Sequence, residues 1–194
     1  MNSKVLSLFL LSSFAAVSHS VVMWDEGING DLSGDRLLPT NLNLVIGSNE
    51  LIGSTGNTGT TDRDYFHISL TGGQKLTKIY LRNYVSADDI AFIAVQAGTV
   101  ITEDPTNANV GNLLGWTFFG TPQIGSDLLA PMGTGSGSIG FTPPLTGSDY
   151  TFWIQQTGDP TDYVMDFQVV PEPSSMAALA GFALLLKKKR QRAA

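Results

Sequence analysis

The sequence contains no cysteine, which excludes a disulfide framework and any thiolate metal site and leaves packing to supply stability. Histidine is almost as scarce. His19 and His67 are the only two, and the common zinc hydrolase centres, which need several nitrogen or sulfur ligands around an open position, are out of reach. Basic residues are thin through the middle of the chain: between residues 21 and 170 there are five, Arg36, Arg63, Lys75, Lys78 and Arg82, against 16 acids, a formal balance of −11. A protein of that sign does not hold nucleic acid or anionic lipid by charge. It suits a solvated extracellular protein, or one whose carboxylates meet divalent cations. The same span sustains no 3.6-residue apolar period, so long amphipathic helices are not expected either.

What is present reads as all-β. Twenty-one glycines, many in clusters with Ser, Thr and Asn, separate short segments rich in β-branched and aromatic residues. The predicted strands are 41–46, 65–70, 76–84, 90–96, 113–119, 137–141, 150–156 and 163–169. Two of them alternate cleanly: Phe66, Ile68 and Leu70 against His67 and Ser69, and Tyr163, Met165, Phe167 and Val169 against Val164, Asp166 and Gln168. Each such strand buries one face, and about eight of them predict an antiparallel β-sandwich or jelly roll. Residues 54–61, 102–112 and 133–138 are polar or glycine-rich and are expected as loops.

The two ends differ from this middle. Lys4, an apolar stretch from Val5 to Val17, and small residues at Ser18 and Ser20 have the layout of a secretory signal peptide, residues 1–20, with cleavage after Ser18 or Ser20 equally allowed. At the other end, Val170-Pro171-Glu172-Pro173-Ser174-Ser175 leads into an apolar run from Met176 to Leu186 and then Lys187, Lys188, Lys189, Arg190, Gln191 and Arg192. Pro171 and Pro173 bar a helix through their own positions. Residues 174–186 would make a helix of about 20 Å, shorter than a hydrocarbon core of about 30 Å, although the lysines can snorkel and are favoured on the cytoplasmic side. This order of Pro-Glu-Pro, hydrophobic segment and basic terminus resembles the PEP-CTERM sorting signal of exported bacterial proteins. The resemblance implies transient anchoring in the inner membrane, processing at Pro171, Glu172 and Pro173 by an exosortase-type membrane protease, display at the cell surface or release, and association with exopolysaccharide and biofilm matrix. Residues 21–169 are then the β-sandwich domain, and residues 170–194 the sorting and anchor segment with a short hydrophobic helix.

The middle carries a second resemblance. Trp24-Asp25-Glu26, Gly30-Asp31, the segment from Leu42 to Gly47, Ile52-Gly53, Asp62-Arg63-Asp64-Tyr65-Phe66 and Leu70-Thr71-Gly72-Gly73-Gln74-Lys75-Leu76, with the closing pair Gly147–Gln156 and Asp162–Phe167, are similar to the bacterial pre-peptidase C-terminal domain. That family implies a jelly-roll-like sandwich appended to secreted enzymes as a binding or folding module. In its calcium-binding members an acidic N-terminal segment folds back onto the Asp-x-Asp turn, and the matching positions are Glu26, Asn29, Asp31, Asp62 and Asp64. Ca²⁺ takes six to eight oxygen ligands, which flexible acidic loops supply. Two other readings stay open: the acids are turn-forming and solubilising, or Arg63 neutralises Asp62 and Asp64 without a metal.

Catalysis finds little support in the residues. His67 lies on the polar side of its strand with no cysteine to pair with, and a Ser-His-Asp site needs a base oriented by a carboxylate in a cleft. Sixteen acids leave carboxylate-dependent glycan cleavage countable, yet nothing singles out two of them. Trp116 and Trp153 are the aromatic candidates for carbohydrate contact, since a flat ring covers the apolar face of a sugar. Trp153 is out of phase with Tyr150, Phe152 and Ile154, which makes it exposed if those are buried. The expected function is a non-catalytic cell-surface or matrix protein. A secreted glycan-cleaving enzyme and a matrix filler without a ligand are the alternatives.

Overall fold

A computed structural model describes residues 20–70 and 72–172. The signal segment before Ser20, the hydrophobic tail, Pro173 and the basic cluster lie outside the described residues. Ten strands follow one another: β1 (Ser20–Asp25), β2 (Thr40–Leu42), β3 (Gly47–Asn57), β4 (Thr61–Ser69), β5 (Gln74–Val85), β6 (Ala91–Ala97), β7 (Gly115–Phe119), β8 (Leu145–Thr146), β9 (Asp149–Gln155) and β10 (Thr161–Pro171). Two single-turn helices, α1 (Glu26–Asn29) and α2 (Leu129–Met132), sit between them. Among the described residues no helix is long and apolar enough to cross a membrane.

The strands form one sheet that curls on itself, in the order β7-β6-β9-β4-β3-β10-β5-β8, with β1 added to β3 and β2 to β4. The β3–β4 link is only two residue pairs long, Gly56–Asp62 and Asn57–Thr61. It acts as the corner where one half-sheet, β1-β3-β10-β5-β8, turns to face the other, β2-β4-β9-β6-β7. Pairing is antiparallel except for β1 with β3 and β2 with β4, which are parallel. The apolar residues of the alternating strands meet between the halves. Phe66 stacks on Phe152 at 5.2 Å within one half, and Phe167 of the other packs edge-on against both at 5.8 and 5.7 Å. Leu51, Ile79, Leu81, Met165, Ile68, Ile93 and Ile154 belong to this core, all without exposed surface. Burying each such side chain contributes on the order of 1.5–3 kcal/mol.

Five predicted strands, 65–70, 76–84, 90–96, 150–156 and 163–169, recur as β4, β5, β6, β9 and β10 with shifted ends, and 113–119 recurs as β7. The segment 41–46 contributes only Thr40–Leu42. Residues 137–141 form no strand. Gly137 and Gly140 take positive φ there, a conformation that breaks a pleat, and Phe141 hydrogen-bonds through its backbone to Gly133 instead. Conversely, residues 54–57, expected in a loop, belong to β3, whose Ser48, Asn49 and Thr55 are buried and bonded. Asn49, fully buried, donates to the carbonyls of Val45, Gly47 and Phe167 and accepts from Val45 N–H.

The register defines two poles. Ser20 and Gln168 both lie beside Ser48, and Val170 and Pro171 pair with Lys75 and Gln74, so β1 begins and β10 ends at one pole. The end of β3 and the starts of β4 and β10 meet at the other, with α1 packed beside them.

Candidate functional site

The second pole is built on acids. Asp25 caps α1, its carboxylate accepting from Gly27 N–H at 2.9 Å, and the turn that follows carries Glu26 over the end of β3. Glu26 Oε1 accepts from Leu32 N–H at 3.0 Å, and Oε2 from Ser54 N–H at 2.6 Å and Ser54 Oγ at 3.1 Å. One carboxylate therefore pins the N-terminal segment onto β3. Asp64 comes from the opposite half-sheet. By strand alternation it shares the inward face with Phe66 and Ile68, and it has no exposed surface. Its Oδ2 accepts from Tyr163 Oη at 2.7 Å, while its Oδ1 has no hydrogen-bond partner.

Glu26, Asp31 and Asp64 each bring a carboxylate oxygen within 4.8 Å of the others. The electrostatics are those of a site short of positive charge. Burial pushes the Asp64 carboxyl well above the usual carboxylate range, and Glu26, Asp62 and Asp31 push it the same way. Burial also raises Glu26, against the hydrogen bonds from Leu32 and Ser54. Asp62 is raised by burial and by Asp31. Tyr163, enclosed beside Asp64, has its phenol held protonated by burial and by that carboxylate. A buried carboxylate oxygen left without donor or cation costs several kcal/mol. Glu26, Asp31 and Asp64 are residues that could hold a divalent cation, and an all-oxygen donor set is the kind that Ca²⁺ takes.

The other expected ligands are placed differently. Asn29 turns its amide oxygen back to accept from Asp25 N–H at 2.9 Å, and Asp62 stands beside the three-oxygen group, near enough to Asp31 to be raised by it. Arg63, the in-chain alternative to a metal, donates through Nε to Gln155 Oε1 at 3.0 Å. Alternation puts its side chain on the face opposite Asp64. Nothing in the sequence pattern marks Gly53 beyond its place in the Ile52-Gly53 pair, yet the site depends on it: a Cβ there would lie 2.5 Å from Tyr163 Oη. An open pocket of about 300 Å³ adjoins Glu26, lined among others by Ile52, Ser54, Asn83, Asp162 and Val164.

The aromatic candidates separate. Trp153 is 2% exposed, which corrects the expectation of a surface ring. It points to the outer face of its half-sheet, as the phase requires, but the segment from Gly98 to Leu114 folds over that face. Ile101 and Leu113 from this cover join Tyr65, Ala94 and Trp153 in a second apolar cluster. The cover is fastened by Arg36, which donates to the carbonyls of Ile101 and Thr102, and by Glu103, which accepts from Asn109 N–H and Asn112. Tyr65 Oη and Trp153 Nε1 have no partners in this cluster, and burial pushes the Tyr65 phenol up to about 12. Trp116 is half-buried and donates to Ser136 O. Next to it Phe118 is exposed and Phe119 belongs to the main core. His67 bridges Asn41 Oδ1 at 2.8 Å and Asp149 Oδ1 at 3.1 Å, a structural tie between β2, β4 and β9. No protein-family model, curated protein or solved structure matches the chain.

Proposed function

We propose that this chain is an exported, non-catalytic protein of the cell surface or extracellular matrix, whose sandwich is completed by calcium bound among Glu26, Asp31 and Asp64. One observation carries the reading: a fully buried carboxylate oxygen, Asp64 Oδ1, has no partner, on a side chain that brings an oxygen within 4.8 Å of two further carboxylates. Calcium sites of extracellular modules work at about 10⁻⁴–10⁻³ M, so a site with few preformed ligands fills outside a cell and stays empty in a cytosol. That agrees with the signal peptide and the PEP-CTERM-like tail, by which an exosortase-type protease would act on Pro171, Glu172 and Pro173 after transient inner-membrane contact. Asp64 is too deeply enclosed to touch a substrate, which favours a structural ion over catalysis by this cluster. Partners of this class are exopolysaccharide and neighbouring matrix proteins, with the open pocket beside Glu26 as the first surface to examine.

Calorimetry of the purified protein with calcium, then with the organism's own polysaccharide in calcium and in chelator, tests this. Saturable calcium heat that Asp64→Asn abolishes supports the ion site, and polysaccharide heat that vanishes with chelator supports the matrix role. Absence of calcium heat sinks the first claim, and absence of polysaccharide heat sinks glycan binding for that polymer.

A further inference from the structure

The pole at which β1 begins and β10 ends carries exposed apolar side chains. Val45 is 45% exposed, Ile46 52% and Val170 40%. These are not loose side chains. The buried amide of Asn49 holds the 45–47 turn by bonds to Val45 N–H, Val45 O and Gly47 O. Val170 is fixed in β10 opposite Lys75. The chain remains paired beyond it, since Glu172 N–H donates to Gly73 O at 2.6 Å. In sequence, only Pro173, Ser174 and Ser175 then separate this pole from the apolar run that starts at Met176. Three residues span at most about 10 Å. If the run enters a bilayer, no slack is left for the sandwich to stand away from it.

We infer that the pole formed by Val45, Ile46 and Val170 rests on the bilayer that receives the tail, at the boundary of headgroups and acyl chains. This rests on the tail reading in the proposed function and adds the orientation of the domain. The contact is apolar rather than electrostatic: Lys75 adjoins the patch, but Glu172 and Asp149 lie at the same pole, so the surface favours no anionic lipid. The acidic pole then points outward. From Ser48 to Ser54 β3 runs six residues, about 20 Å, which keeps Glu26, Asp31 and Asp64 clear of the headgroups.

The absence of cysteine makes the test direct. The full chain carrying a single Ile46→Cys, Val170→Cys or Thr58→Cys change is labelled with an environment-sensitive fluorophore and reconstituted into phosphatidylcholine vesicles containing nitroxide lipid. Thr58 is an exposed residue at the acidic pole. The inference expects labels at 46 and 170 to shift to the blue and lose most of their emission to the quencher, while the label at 58 is unchanged. It also expects Val45→Asp with Ile46→Asp to abolish quenching at 170 while the protein still floats with the vesicles. Flotation with no quenching at 46 and 170 overturns the docking and leaves the anchoring intact. Failure to float overturns the anchoring and the docking with it. A blue shift that needs no lipid and grows with protein concentration identifies a second copy on the patch and also overturns the inference.

Discussion

Asp64 and Asp166 are both buried aspartates of the same sandwich, and they are treated in opposite ways. Asp166, 2% exposed, has a complete set of partners: Ser48 Oγ at 2.6 Å and Gln168 Nε2 at 2.8 Å on one oxygen, and Arg82 through Nε and a terminal nitrogen on the other. Asp64 has one phenol and three acidic neighbours. A buried charge is tolerable when the chain supplies its counterion. Where the chain supplies more negative charge instead, the carboxyl is neutralised by a proton or, on the reading proposed above, by a cation from solution.

The largest expected effect falls on the self-sufficient member. Arg82→Met strands the Asp166 carboxylate, and because the guanidinium is partly exposed the loss is held to about 2–3 kcal/mol. Denaturant midpoints should show the same loss with calcium and with chelator; a calcium-dependent loss would break the contrast. Asp64→Asn is the converse experiment. At calcium about a hundredfold above Kd the parent gains about 2.7 kcal/mol; the variant should gain nothing, and in chelator it should be at least as stable as the parent. Gly53→Ala pushes a methyl group into Tyr163 and should cost about 1–3 kcal/mol, with weaker calcium binding because the Tyr163–Asp64 bond shifts.

The pH dependence has a definite sign. Glu26, Asp62 and Asp64 have folded pKa values raised above the unfolded ones. Their contribution is fully present below the ordinary carboxylate pKa and is lost as pH rises through the raised values. In chelator, the melting temperature should therefore fall on going from mildly acidic to neutral pH, and saturating calcium should remove that fall. Glu103, lowered by its bonds from Asn112 and Asn109, and Asp104, lowered by Thr106, act in the other direction and in a lower window. Their contribution is lost as pH drops through the depressed values. A melting temperature in chelator that stays flat or rises toward neutral pH would contradict the raised cluster. The smallest effect belongs to Arg63→Gln, which should change calcium affinity by less than about 0.5 kcal/mol, since the guanidinium faces Gln155. A larger change would restore Arg63 as the internal counterion.

Much of the sandwich was legible because its core strands alternate or are continuously apolar: Phe66 and Ile68, Tyr163 to Val169 and Phe152 to Ile154 sit where their period puts them. β3 was not. Its Gly47, Gly53 and Gly56 and its run of Ser, Asn and Thr look like loop chemistry, and only pairing with β1 and β10 on its two sides makes it a strand. Trp153 shows a different failure. Its phase was right, but a sheet face that period assigns to solvent can be roofed by a loop, and the apolar Ile101 and Leu113 within that loop were the available sign. In the site, Glu26, Asp31 and Asp64 were reachable from the acidic segment and the Asp-x-Asp spacing, although that spacing lies in β4 and not in a turn. That Arg63 turns away follows from strand alternation, which sends neighbours 63 and 64 to opposite faces.

The position of β10 has a kinetic consequence. It is the last strand among the described residues, yet it lies between β3 and β5 in the interior of its half-sheet. Neither neighbour can close that half without it, so the ladder from residue 47 to residue 85 waits for residues 161–171 to arrive. Pairing across such sequence separations places the domain among slow folders, because long loops must close before their contacts are gained. A half-sheet that cannot close until residues 161–171 have appeared leaves the chain threadable until then, which is the state the export proposed above would need.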